Sequence, residues 1–176
     1  MKNAKRYALA FAFMIPVFLL AQQRPAAPTP QSVVEEWFKR WNALDGSAAS
    51  IQRFVDLYHP NATHQAASSA KQIGPVFLEA HEGIRKLAED FSKANTEAAF
   101  RFETVTANEK SQQLFYETQG PWDGPAVGVQ FVGAYTVRAT KKRFFYPGAA
   151  FFHIKDGKIL HARFYSARDE IAEVQP

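Results

Sequence analysis

The stretch FFHIKDGKILHARFYSARDE, Phe151 to Glu170, limits what this chain of 176 residues can become more than any other part of it. Asp156-Gly157 closes a two-residue turn, because both central residues of a type I′ turn need positive φ and Asp-Gly tolerates it. The flanking segments alternate at period two, the mark of strands with two different faces. Counting back from Lys155 opposite Lys158 sets Ile154 against Ile159, Phe152 against His161, Ala150 against Arg163 and Gly148 against Tyr165 on one face. His153 with Leu160, Phe151 with Ala162 and Ala149 with Phe164 take the other. Neither face is plainly polar, so both sides of this hairpin are expected to be covered. A β-bulge at the turn would shift the register by one residue and exchange the faces.

Ahead of the hairpin the periodicity changes from helix to strand. Ser32 with Glu35 reads as a capping box, and Val34, Trp37, Phe38, Trp41 and Leu44 form one helical stripe that stops at Asp45-Gly46. Ile51, Phe54, Val55 and Tyr58 predict a short second helix ending before His59-Pro60, since a residue before proline avoids the α region. Residues 62–67 and 75–79 read as short strands around a Ser-rich loop, and Ile84, Leu87, Ala88 and Phe91 mark a third helix. Residues 99–120 read as one hairpin, and VGVQFVGAYTVRAT as a long strand with Val127, Val129, Phe131, Tyr135 and Val137 on one face. Three helices ahead of a run of antiparallel strands define an α+β class, with the helices packed on one face of a curved sheet.

The start of the chain reads differently. Lys2, Lys5 and Arg6 precede an uncharged run from Tyr7 to Ala21 of about 15 residues, short of the roughly 20 that cross a bilayer. Residues 1–21 are therefore expected to be a secretory signal peptide, with export to the periplasm or the medium and no membrane attachment once it is removed. Residues 22–30 are a Pro/Ala-rich linker, and 31–176 are the folded domain. The absence of cysteine excludes a lipoprotein anchor and any disulfide framework. Without Lys2, Lys5 and Arg6, 18 basic groups face 17 acidic ones, a balance that gives no basic stripe for nucleic acid. The one cluster, Arg138 to Arg143, reads as a solvated turn.

The order of elements, the segment FLEAHEGIRKLAEDF (77–91) entering the third helix and the ending FFHIKDGKILHARFYSARDEI (151–171) resemble the SnoaL-like branch of the NTF2-like superfamily, over roughly residues 31 to 174. The resemblance implies a cone: three N-terminal helices on a strongly curved antiparallel sheet with a mixed edge, and an apolar pocket between the helices and the concave face. Such folds host isomerases, cyclases, epoxide hydrolases, dehydratases and plain binders. Polyketide-cyclase-like and epoxide-hydrolase-like members carry an Asp two residues after a Tyr at the end of the last strand. Here Tyr165 is followed by Ser166 and Ala167, so that carboxylate is missing.

In that frame the alternating His161, Arg163 and Tyr165 are expected to line the pocket as substrate-binding groups, with Trp122 of the GPWDGP loop closing over a ligand. The plainer readings stand beside these: His161 as a core histidine, Arg163 as an ion-pair partner of Glu103 or Glu117, Tyr165 as a core aromatic, and GPWDGP as turn chemistry. His64 in NATHQAA falls where the resemblance puts a residue at the pocket mouth, and a histidine is readily poised as acid or base. The histidines at 59, 64, 81, 153 and 161 give no i, i+4 pair of a helical zinc site, and no phosphate loop or nucleophile elbow occurs, so neither metal nor cofactor is expected. Two functions remain: an exported binder of a small hydrophobic molecule bearing an oxygen function, or a cofactor-independent isomerase, cyclase or lyase working by proton transfer with His64 as catalytic base. A homodimer is expected through the sheet face opposite the helices, where Leu160, Ala162 and Phe164 would meet Phe151 and Ala149.

Overall fold

The computed structural model describes residues 27–68, 76–114, 121–166 and 172–173. Three helices, α1 (Pro30–Asn42), α2 (Ala48–Val55) and α3 (Ala80–Ala94), accompany the strands β1 (Tyr58–Ser68), β2 (Val76–Glu79), β3 (Asn95–Thr96), β4 (Arg101–Leu114), β5 (Pro121–Val137), β6 (Arg143–Lys155), β7 (Lys158–Ser166) and β8 (Ala172–Glu173). Helix α1 begins earlier than the capping box placed it. Thr29 is the N-cap and its hydroxyl oxygen accepts from the Ser32 N–H, while Pro30 takes the first turn, where its missing donor costs nothing. Ser32 only donates back to the Thr29 carbonyl.

The strands form one sheet in the order β2-β1-β7-β6-β5-β3, with β4 sharing the edge of β5 and β8 pairing β6. All pairs are antiparallel except β1 with β7, which makes the edge mixed. The hairpin expected over residues 99–120 is not found: Arg101–Leu114 form one strand. β4 runs straight through Asn108 to Ser111, where its register against β5 merely shifts, and its hairpin partner is β5. The turn-like residues there make a bulge rather than a reversal.

Two irregularities place every side chain discussed below. In the β6–β7 hairpin Lys155 opposes Lys158 and Ile154 opposes Ile159 as the sequence implies, but the register then slips and His153 opposes His161. Leu160 is the extra residue. From there Phe152 faces Ala162, Phe151 faces Arg163, Ala150 faces Phe164 and Ala149 faces Tyr165. The unbulged register would drive Arg163 into the apolar interior at several kcal/mol. A disrupted ladder bond costs about 1 kcal/mol, so the bulge wins. The second irregularity lies in β1, where the six steps from Tyr58 to His64 span only Ile159 to Ala162 of β7. The excursion contains Pro60, which has no N–H to give a ladder. It also explains why the helical spacing of Tyr58 misled: Tyr58 opens β1 and is not the end of α2.

The helices cover the concave face. Trp37, Phe38 and Trp41 of α1, Phe54 of α2 and Ile84 of α3 are buried against Val127, Val129, Phe131, Ala150, Phe152, Ile159 and Ala162. Close approach is made possible at Gly148, where a Cβ would collide with the Phe131 ring. The basic cluster serves the fold: Arg138 Nε donates to the Ser92 and Asn95 carbonyls at the end of α3, and Lys142 pairs Glu173. Among the described residues no helix is long and apolar enough to cross a membrane.

Candidate functional site

The ladder registers arrange the concave face in rows. One runs His64, Ala162, Phe152, Val127; the next runs Ala66, Phe164, Ala150, Val129, Val105. Helix α1 lays Trp37 over Phe152 and Phe164, with ring centroids 5.8 and 4.9 Å apart, and Phe38 over Phe102 and Phe131. Phe102, Val105 and Phe164 are only partly buried, so the apolar lining remains open in this direction.

Into this wall the excursion of β1 sets a chain of polar groups. Six residues of regular strand would span about 20 Å, yet the Tyr58 hydroxyl lies 3.0 Å from His64 Nδ1. Trp37 Nε1 donates to the same hydroxyl at 2.7 Å. His81 of α3 fixes the other end of Tyr58 through a 2.9 Å contact between its Nε2 and the Tyr58 carbonyl. The His64 ring stacks on Phe164 at 4.9 Å and 16°. His64 is 5% exposed and Tyr58 fully buried. Burial accordingly holds the His64 imidazole down to about 4 and pushes the Tyr58 phenol well above its usual value, against a smaller opposing effect of the Trp37 N–H. At neutral pH both groups are uncharged.

The bulge carries His161, Arg163 and Tyr165 to the opposite, convex face of the sheet, so they do not converge with His64 on the concave face. There His161 Nδ1 contacts Thr63 Oγ1 at 2.9 Å and its ring meets that of His153 at 5.9 Å. Arg163 Nε donates to Gln65 Oε1 at 2.7 Å, and Tyr165 packs edge-on against Phe151. Burial first, then Arg163, holds His161 down to about 4; burial first, then His161 and Arg163, holds His153 to about 3. Trp122 lies on β5 opposite Gln113, but its side chain is outside the described residues, as are Glu117 and Ala167. Sequence reasoning missed Tyr58 and Trp37 as site residues. Their one signal was that each carries a polar atom needing a buried partner.

A cavity of about 490 Å³ lies at the β6–β7 turn, lined by Pro28, Pro30, Pro125, Lys155, Asp156 and Gly157. Pro28 seats on Gly157 there, and Gly157 holds φ +72°. Among the described residues no three of His, Cys, Asp and Glu group in a way that would hold a metal ion.

A strongly curved sheet with three helices in its concavity is the NTF2-like α+β cone. The chain belongs to the SnoaL-like domain family, whose model matches residues 34–162. Solved structures share the fold at low identity. The epoxide hydrolase/cyclase-like enzyme SalBIII, with a role in pyran ring formation in the polyether salinomycin, aligns at 17% identity over 82% of this chain and 95% of its own, with a TM-score of 0.62. A Mycobacterium tuberculosis protein aligns at 10% identity over 84% and 97%, TM-score 0.63. An NTF2-like protein of unknown function from Exiguobacterium sp. 255-15 aligns at 9% over 77% and 98%, TM-score 0.55. No curated protein matches.

Proposed function

We propose that this SnoaL-like protein is exported and that its concave face binds a small hydrophobic molecule bearing an oxygen function. The observation that carries the reading is the Trp37–Tyr58–His64 chain: one hydrogen-bonded polar group, 5% exposed, set in a partly open aromatic wall. Pockets that orient small molecules combine apolar lining with few polar groups in this way. A second reading, a cofactor-independent isomerase, cyclase or lyase, uses the same pocket, and the neutral imidazole of His64 serves it, since an uncharged ring can polarise a reacting oxygen at working pH. The protein acts as a homodimer joined through the convex face of the sheet.

Incubation of the purified protein with a metabolite mixture, followed by native mass spectrometry of what is retained, tests the binding reading, and analysis of the mixture for new products separates the two. Ala66, half-buried beside Phe164, gives the control. Ala66→Phe is expected to fill the opening and reduce retention at least tenfold with little change in melting temperature. Equal retention by the variant would move the site elsewhere. The same spectrum reads the start of the chain: export predicts a mature protein lacking residues 1–21.

A further inference from the structure

The protons of the Trp37–Tyr58–His64 chain can be counted. Trp37 Nε1 has one hydrogen and gives it to the Tyr58 oxygen. Tyr58 also has one hydrogen, and its hydroxyl is fully buried with His64 Nδ1 3.0 Å away. Were Nδ1 the protonated nitrogen, two donors would face the phenol oxygen and the phenol hydrogen would be left without an acceptor in an apolar wall. A buried donor without an acceptor bears its full desolvation cost. Only the arrangement in which Tyr58 donates to Nδ1 gives the Trp37 and Tyr58 hydrogens an acceptor each, and it puts the His64 hydrogen on Nε2, outside the chain. Protonating the ring would break the same bond and bury a charge beside Phe164. Among the described residues nothing pairs with His64 Nε2, and it is not among the fully enclosed polar atoms that lack a partner, so it is the ring nitrogen left for a ligand.

This inference rests on the concave pocket proposed above and specifies its ligand. We propose that His64 grips the ligand as a neutral hydrogen-bond donor through Nε2–H, with Tyr58 and Trp37 as positioning residues that fix this tautomer. The ligand class follows. It presents an acceptor oxygen without a negative charge, as in a ketone, ester, ether or epoxide. A carboxylate entering this wall needs a countercharge, and the guanidinium that sequence parity would have supplied, Arg163, lies on the other face of the sheet. If a reaction follows binding, Nε2–H polarises that oxygen and stabilises the negative charge that develops on it. The lone pair of Nδ1 stays engaged with Tyr58, so His64 is not the base.

Three probes of one shape test it: acetophenone, its hydrocarbon isostere α-methylstyrene, and benzoate, titrated into the whole mature protein. Acetophenone is expected to bind about five- to tenfold more tightly than α-methylstyrene, the worth of one hydrogen bond, and benzoate most weakly. His64→Phe keeps a ring against Phe164 and should make the first two probes equal. The ¹⁵N spectrum of the imidazoles, with His64 assigned by comparison with that variant, should show a protonated Nε2 and an unprotonated Nδ1 at neutral pH. Tyr58→Phe should shift that signature toward a mixture of tautomers and erase the preference for the ketone. Should either variant fail to fold, probe order and tautomer in the wild type still decide. Equal binding of ketone and hydrocarbon, tightest binding of benzoate, or an Nδ1–H or imidazolium His64 overturns the inference while leaving the pocket. Failure of all three probes to bind removes the pocket, and the inference falls with it.

Discussion

His64 couples the stability of the protein to pH through a plain imbalance of proton affinity. In the fold its pKa is held near 4 by burial, whereas in the unfolded chain it is about 6.5. Between those values the unfolded state binds a proton that the folded state refuses, so stability is complete above about pH 6.5 and falls as the pH drops toward 4. The imidazole is nearly sealed, and the loss is on the order of 3 kcal/mol. His153 and His161 on the convex face titrate in the same direction, so the effect of His64 is read by difference. Urea unfolding at neutral pH and near pH 4.5 should show a smaller pH-dependent loss in His64→Phe than in the wild type. Identical losses would mean that His64 protonates as freely in the fold as outside it. His64 itself was legible in the sequence as a titratable group in a strand near a pocket. Its partners were not, because the phase of Tyr58 with Ile51, Phe54 and Val55 fits a helix, and only the excursion of β1 around Pro60 brings it beside His64.

The β6–β7 hairpin shows how far alternation carries at the scale of an element. The two strands, the Asp156-Gly157 turn with φ of 52° and 72°, and the first two cross-strand pairs all follow from the residues. Which face meets the helices does not, because one extra residue at Leu160 exchanges them and the decision belongs to tertiary packing. In the observed register Phe164 packs on Trp37 and His64 while Arg163 bonds Gln65 outside. The consequences are opposite to those of the unbulged register. Arg163→Met should leave retention of a concave-face ligand within about twofold of wild type. Phe164→Asp, which on the unbulged register would only split a dimer, should instead unfold the protein, since it sets an unpaired carboxylate against the Trp37 and His64 rings. Thermal melts with ligand titration check both. A folded, monomeric Phe164→Asp would restore the register without the bulge. The straight course of β4 was hidden for a related reason: a bulge and a turn draw on the same polar residues, and only the length of β5 tells them apart.

At the scale of the whole molecule the helices form a single layer, and the sheet has two faces. Helices α1, α2 and α3 occupy the concave one. The convex one keeps Phe145, Phe151 and Tyr165, exposed by 38%, 41% and 41%, and these are the large apolar side chains left exposed among the described residues. All three fall on the convex side of the alternation that turns Ala150, Phe152 and Phe164 toward the helices. Around them stand Gly128, Ala149, Gln130 and the Arg163–Gln65 pair, a mixture of apolar centre and satisfied polar groups that resembles an interface more than a wet surface. Of the apolar patch expected there, Phe151 and Ala149 stay on this face, while Ala162 and Phe164 turn to the helices and Phe145 and Tyr165 take their place. Two copies related by a twofold axis would each cover the other's Phe151 with the same patch, closing the assembly at a dimer. Sedimentation of the mature protein at micromolar concentration should give twice the chain mass. Phe151→Glu, placing like charges opposite one another across that axis, should give a folded monomer with an unchanged melting profile at low concentration. A wild type that sediments as a monomer under the same conditions would leave the convex face to another partner and remove the dimer from the account of this protein.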